Sequence, residues 1–178
     1  MTPFVRRGAR AGAAGLIAIV VAAAAVLVAG CDQQKIEKLE EGVSTEADVR
    51  RQFGEPAAVY DEGGGARTLE YPRQPEGQTT FMIGIGADGK MSALRQVLRP
   101  DIFAKITPGM DKAQVRRLIG RPAATQRYEL KKEEAWDWRY LENQEARVFI
   151  VTFDDSGRVT QTASMLDPKV GGAGGPNR

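Results

Sequence analysis

Histidine is absent from the 178-residue chain, and cysteine occurs once, at Cys31. The first absence removes histidine-based serine and cysteine triads and most zinc sites. The second leaves no pair of thiols for an intramolecular disulfide, so the fold must rest on a packed core. Acidic residues are absent from residues 1–30, a stretch that carries Arg6, Arg7 and Arg10 and then an apolar run from Ala11 to Gly30. A positive segment followed by a long apolar one is the layout of a secretory signal. The run closes Leu27-Val28-Ala29-Gly30-Cys31. Small residues at Ala29 and Gly30 let the backbone enter a peptidase groove, and the thiol that follows can form a thioether with diacylglycerol.

This ending resembles the lipobox of bacterial lipoproteins, which implies cleavage between Gly30 and Cys31 and a lipid on Cys31. Val28 stands where the usual leucine would be, with Leu27 one step further out. The alternative is an uncleaved anchor, since the run is long enough for the ~20 residues a bilayer crossing needs. Both readings place the remainder outside the cytoplasm, because the three arginines favour the cytoplasmic side. Removing residues 1–30 from 178 leaves 148, with 22 basic against 23 acidic residues. The precursor's basic balance therefore gives no reason to expect nucleic acid. Each buried CH₂ of a lipid contributes about 0.8 kcal/mol, so two or three acyl chains make a lasting tether to a membrane. The outer membrane is the expected one. Asp32 after the cysteine resembles an inner-membrane retention signal of enteric bacteria and keeps the inner membrane open.

The rest of the chain repeats itself. Gly42, Val49, Gly54 and Pro56 correspond to Gly109, Val115, Gly120 and Pro122, and Phe81 to Lys90 corresponds to Phe149 to Arg158. The offset of roughly 66 to 68 positions exceeds solenoid periods of about 20–50 and fits two copies of a small domain. Thr45 (or Ser44) with Asp48, and Asp111 with Gln114, have the spacing of capping boxes. Val49 and Phe53, and Val115, Leu118 and Ile119, give each helix one apolar stripe. Gly54 and Gly120 stand where a left-handed cap is wanted, with prolines two residues on to forbid continuation. A second short helix is expected before each, near Lys35–Glu41 and Asp101–Lys105.

Strands are expected at Ala57–Asp61, Thr68–Tyr71, Thr79–Ile85 and Met91–Leu98, then at Ala123–Tyr128, Ala135–Leu141, Arg147–Phe153 and Val159–Leu166. Gly89 and Gly157 mark hairpin turns. The reading is an α+β fold of two tandem ααβββ(β) modules, short helices packed on antiparallel sheet. Its parts are a signal over 1–30, a lipidated tether over 31–35, repeat 1 over 36–98, repeat 2 over 101–167 and a solvated Gly-rich tail over 168–178.

Gly109, Val115, Gly120, Pro122, Trp138, Phe153, Gly157 and Arg158 resemble the pattern of the BamE/SmpA family of envelope lipoproteins, and Gly42, Val49, Gly54, Pro56, Tyr71 and Gly89 follow it more loosely. In tandem, the pattern is also similar to the β-lactamase inhibitor protein. These positions are caps, turns and core, so they speak to fold before function. The resemblance implies a non-catalytic, membrane-anchored lipoprotein that binds protein partners in outer-membrane protein assembly or envelope maintenance, barrel-assembly machinery among them. The alternative it implies is an inhibitor or regulator of a periplasmic enzyme.

Enzyme chemistry finds little footing. Glu40-Glu41, Glu133-Glu134 and Asp154-Asp155 are adjacent pairs, and neighbours on a strand point to opposite faces. Gly84-Ile-Gly86-Ala-Asp-Gly89 matches the dinucleotide fingerprint, but that motif needs a helix opening at the glycines. The second copy keeps only Gly157, as a hairpin turn requires. No cofactor, metal or small-molecule substrate is expected. Trp136, Trp138 and Tyr140 alternate and share one strand face. They are either core beneath the helices, the favoured reading, or an aromatic partner-binding surface.

Overall fold

The computed structural model describes residues 32–171. Gly30 and Cys31, the expected cleavage and lipid positions, lie outside them, as do 172–178. The chain divides into two units, Met1–Leu39 and Glu40–Arg178. In the first, residues 32–36 are helical (α1) and a turn follows at 37–38. The helix expected at Lys35–Glu41 therefore sits earlier. Residues 40–44 are taken by a tight turn in which the Ser44 N–H donates to the Glu40 carbonyl at 2.9 Å and the Glu40 N–H donates to Ser44 Oγ at 2.9 Å.

The second unit holds the repeat. Its elements are α2 (Glu46–Phe53), β1 (Ala58–Gly63), β2 (Ala66–Pro72), β3 (Thr80–Ile85) and β4 (Met91–Gln96), then α3 (Pro100–Phe103), α4 (Lys112–Ile119), β5 (Ala124–Tyr128), β6 (Glu133–Glu142), β7 (Glu145–Phe153), β8 (Val159–Leu166) and α5 (Pro168–Gly171). The strands form two four-stranded antiparallel sheets in orders β1-β2-β3-β4 and β5-β6-β7-β8. Two tandem helix-on-sheet modules result, as the repeat predicts. The tail expected from 168 begins as the helical turn α5.

Local chemistry explains the matching boundaries. Thr45 donates its N–H to Asp48 Oδ2 at 2.9 Å while the Asp48 N–H returns to Thr45 Oγ1 at 3.3 Å. Asp111 and Gln114 make the same reciprocal pair at 2.9 and 2.8 Å. Each box satisfies N–H groups that a helix start leaves open, and such a cap contributes about 1 kcal/mol. At the other ends Gly54 (φ 83°, ψ −160°) and Gly120 (φ 77°, ψ −169°) depart from the expected left-handed helical cap. They occupy the positive-φ extended region, essentially open to glycine alone, which sends the chain straight into a strand. Both hairpin turns reach back to the helix starts: Thr45 bridges Lys90 and Asp111 bridges Arg158.

Each sheet buries one face beneath its own helices. In the first module Val49 and Phe53 of α2 lie with the buried Leu69, Tyr71, Phe81, Ile83 and Ile85; the Phe53 ring sits 5.3 Å from Tyr71 and 5.5 Å from Phe81. In the second, Phe103, Val115 and Ile119 cluster with Trp138, Tyr140, Phe149, Val151 and Phe153. Phe103 stacks on Phe149 at 4.0 Å and meets Tyr140 edge-on at 4.9 Å.

The opposite face of the first sheet is also covered, which the alternation of Leu69, Glu70 and Tyr71 does not announce. Gly120, at the end of α4, lies so close that a Cβ there would meet Thr80 Cγ2 at 2.7 Å and Glu70 Oε1 and Met82 Cε at 3.4 Å. Glycine at 120 therefore serves twice, for its φ and for the approach of the two modules.

Candidate functional site

Trp138 is fully buried, and its Nε1–H donates to the Gly120 carbonyl at 3.0 Å. That bond ties β6 to the end of α4 and satisfies the one polar group the indole carries. Tyr140 is 1% exposed, and its hydroxyl lies 2.6 Å from Ser164 Oγ. Trp136 is half-buried; its Nε1–H donates to Glu134 Oε1 at 2.5 Å, and Lys112 Nζ sits 5.6 Å over its ring. The stripe is thus core and core margin. This corrects the partner-binding reading of Trp136, Trp138 and Tyr140: α3 and α4 occupy the face that a partner would need.

The polar junction between the modules, missed in the sequence, centres on Glu70. This side chain is fully buried, yet each oxygen has partners. Oε1 accepts from the Arg121 N–H at 2.8 Å, and Oε2 accepts from Tyr60 OH at 2.5 Å and Arg116 Nε at 3.4 Å. Burial, then the bond to Glu70, pushes the Tyr60 hydroxyl up to about 12. Arg117 lies 5.4 Å over the Tyr60 ring and donates to the Asp61 carbonyl at 3.1 Å and Glu62 at 3.0 Å.

A second contact joins the modules at Gln74. Its side-chain amide donates to the Arg139 carbonyl at 2.6 Å and accepts from the Arg139 N–H at 3.3 Å. One side chain thereby supplies the ladder that β5, paired only as far as Ala124–Asp137, does not extend along β6. The Arg139 guanidinium donates to Asp167 at 2.7 Å and to the Pro75 carbonyl at 3.2 Å. Burial opposes charge on Asp167, but the Lys169 N–H and Arg139 outweigh it and hold the carboxyl below its usual range.

Asp137 shows the opposite balance. Burial pushes its carboxyl up, and no compensating charge contributes. A folded pKa above the unfolded value means that the aspartate's contribution is fully present below the unfolded pKa and is lost as pH rises through the folded one. Asp137→Asn is therefore expected to raise stability at pH 7 and to leave it unchanged near pH 3; thermal melts at the two pH values check both.

One member of each carboxylate pair acts as a structural partner. Glu41 accepts from the Leu94 N–H at 3.0 Å, Glu134 from Lys112 at 2.6 Å, and Asp154 from the N–H groups of Ser156 and Arg158 at 2.9 and 3.0 Å. Gly84 lies in β3, and Gly86 and Gly89 close the turn into β4 with a 2.9 Å bond, so no helix opens where a dinucleotide would need one. Among the described residues, no cluster of three His, Cys, Asp or Glu side chains is placed to hold a metal, and no helix is long and apolar enough to cross a membrane.

Two helix-on-sheet modules are joined through the buried Glu70 carboxylate. Residues 96–163, which span most of the second module, match the family described as the outer membrane protein assembly factor BamE domain. Among solved structures, the chain is similar to a putative osmotically inducible lipoprotein, OsmE, at 23% identity over 39% of this chain and 73% of that one, with a TM-score of 0.34. It is also similar to a putative beta-lactamase inhibitor protein from Streptococcus mutans, at 10% identity over 77% and 97%, with a TM-score of 0.34. No curated protein sequence matches the chain.

Proposed function

We propose that the chain is a lipoprotein of the bacterial envelope, anchored through Cys31, that binds protein partners without catalysing a reaction and takes part in outer-membrane protein assembly. The BamE domain over 96–163 carries this reading. Two further features support it. The apolar run ending in Ala29-Gly30-Cys31 fits lipid attachment, and one residue of each carboxylate pair, Glu41, Glu134 and Asp154, is engaged in a strand-edge bond, an ion pair and a turn, respectively. A tethered protein meets its partners at high effective concentration, so modest contact areas suffice. The match to an outer-membrane assembly family favours the outer membrane, with Asp32 keeping the inner membrane open.

In-cell photocrosslinking from positions spread over β5 and the β5–β6 loop, followed by purification from membranes, tests the proposal. It predicts discrete adducts with barrel-assembly proteins. Adducts confined to soluble periplasmic enzymes, with none to an assembly component, would contradict it.

A further inference from the structure

The two modules share their fold but treat their last strands differently. In the first module, side chains take outward backbone groups on β4 and just beyond it. The Leu94 N–H donates to Glu41 at 3.0 Å, and the side-chain amide of Gln96 takes both the N–H and the carbonyl of Leu98. At the repeat offset, Pro108 replaces Glu41 and Ser164 replaces Gln96. Both blocking side chains are gone from the second module.

The register shows what this leaves open. The Asp167 N–H donates inward to the Ala146 carbonyl at 2.9 Å. Inward and outward groups alternate along an antiparallel strand, so Ala163 and Met165 bond toward β7 while Thr162, Ser164 and Leu166 turn their N–H and C=O groups outward. Those outward groups have no partner among the described residues. The strand from 160 to 166 reads Thr-Gln-Thr-Ala-Ser-Met-Leu, uncharged and exposed at every position. The other edges carry the usual deterrents: Asp61, Glu62 and a bulge on β1, Arg95 on β4, and Arg127 on a five-residue β5. An unblocked, uncharged edge is a template for another strand.

We infer that β8 is a self-association edge, on which a second copy of this chain pairs antiparallel along Thr162–Leu166 about a two-fold axis at Ser164. The geometry closes on itself. Ser164 exchanges both backbone bonds with the partner's Ser164, and Thr162 does so with the partner's Leu166. On the outer face each Met165, 49% exposed alone, lies opposite the partner's Ala163, a large residue against a small one. Leu166, 58% exposed, gains the methyl group of the partner's Thr162. With no charge on the strand, the copies do not repel. A differently charged partner strand would gain nothing from this seam beyond its backbone bonds.

The test is disulfide capture in membranes between two differently tagged full-length chains, one Ala163→Cys and one Met165→Cys, with unsubstituted chains as the control for Cys31. Opposed residues at such a non-hydrogen-bonded position lie about 4.5 Å apart, whereas two copies of 163 would be diagonal at about 7–8 Å, beyond easy bridging. The mixed pair should therefore crosslink roughly tenfold more than either pure pair. Thr162→Pro, which removes only an outward N–H, should abolish the adduct at equal membrane yield; Thr162→Lys serves as the second blocking variant. Equal crosslinking in mixed and pure pairs, an adduct that survives both blocking variants, or capture of a different protein in place of a second copy would overturn the inference.

Discussion

Trp138→Ala should lower unfolding stability by about 3–5 kcal/mol, a large share of the 5–15 kcal/mol typical of a folded domain. The indole is fully buried between β6 and the end of α4, among Val115, Ile119, Val151 and Phe153. Its removal leaves a cavity and an unpaired Gly120 carbonyl, where Nε1–H now donates at 3.0 Å. Trp138→Phe separates the two terms. It keeps most of the apolar volume and loses the hydrogen bond, so about 1–2 kcal/mol should go with it. Denaturant unfolding gives both values. A Trp138→Ala loss below about 1 kcal/mol would mean that the ring lies on the surface, as the docking reading required.

Glu70→Ala should cost about 2–4 kcal/mol, because it strands groups that have no other partner. The Arg121 N–H and Tyr60 OH are bonded to this carboxylate at 2.8 and 2.5 Å, and alanine offers neither an acceptor. Arg116 suffers less, since its side chain is 38% exposed and can turn to water. The larger consequence is for the junction. Calorimetry of the variant should show two partly separated transitions where the parent shows one, as the modules lose their shared polar lock. Glu70→Gln keeps an acceptor for Arg121 and should recover more than half of the loss. A single unshifted transition for Glu70→Ala would show that Gln74 and Arg117 hold the modules together without it.

What the sequence revealed and what it hid follow from the range of the interactions. Caps, stops and hairpin turns are set within four or five residues, so the boxes at Thr45 and Asp111 and the turns at Gly89 and Gly157 could be read directly, and eight strands fell within about two residues of their observed ends. The helix expected at Lys35–Glu41 was misplaced because the competing turn at 40–44 uses a serine that reads equally well as a cap. Glu70 was hidden for a different reason. Between Leu69 and Tyr71 it reads as the solvent side of a half-buried strand. Only the approach of Gly120, fifty residues later, turns that side into an interior. The repeat itself held a usable signal: Glu41 and Gln96 in one copy face Pro108 and Ser164 in the other, and such mismatches between duplicated modules mark where the copies have taken different surroundings.

Cys31 is the residue on which the proposed tether depends. The native protein, extracted from membranes and digested, should yield an N-terminal peptide that begins at residue 31 with its sulfur joined to diacylglycerol, and Cys31→Ser should shift the protein out of the membrane fraction. A peptide with a free thiol that is still joined to residues 1–30 would contradict the tether, and with it the proposal that this doubled module works by contact at a bilayer.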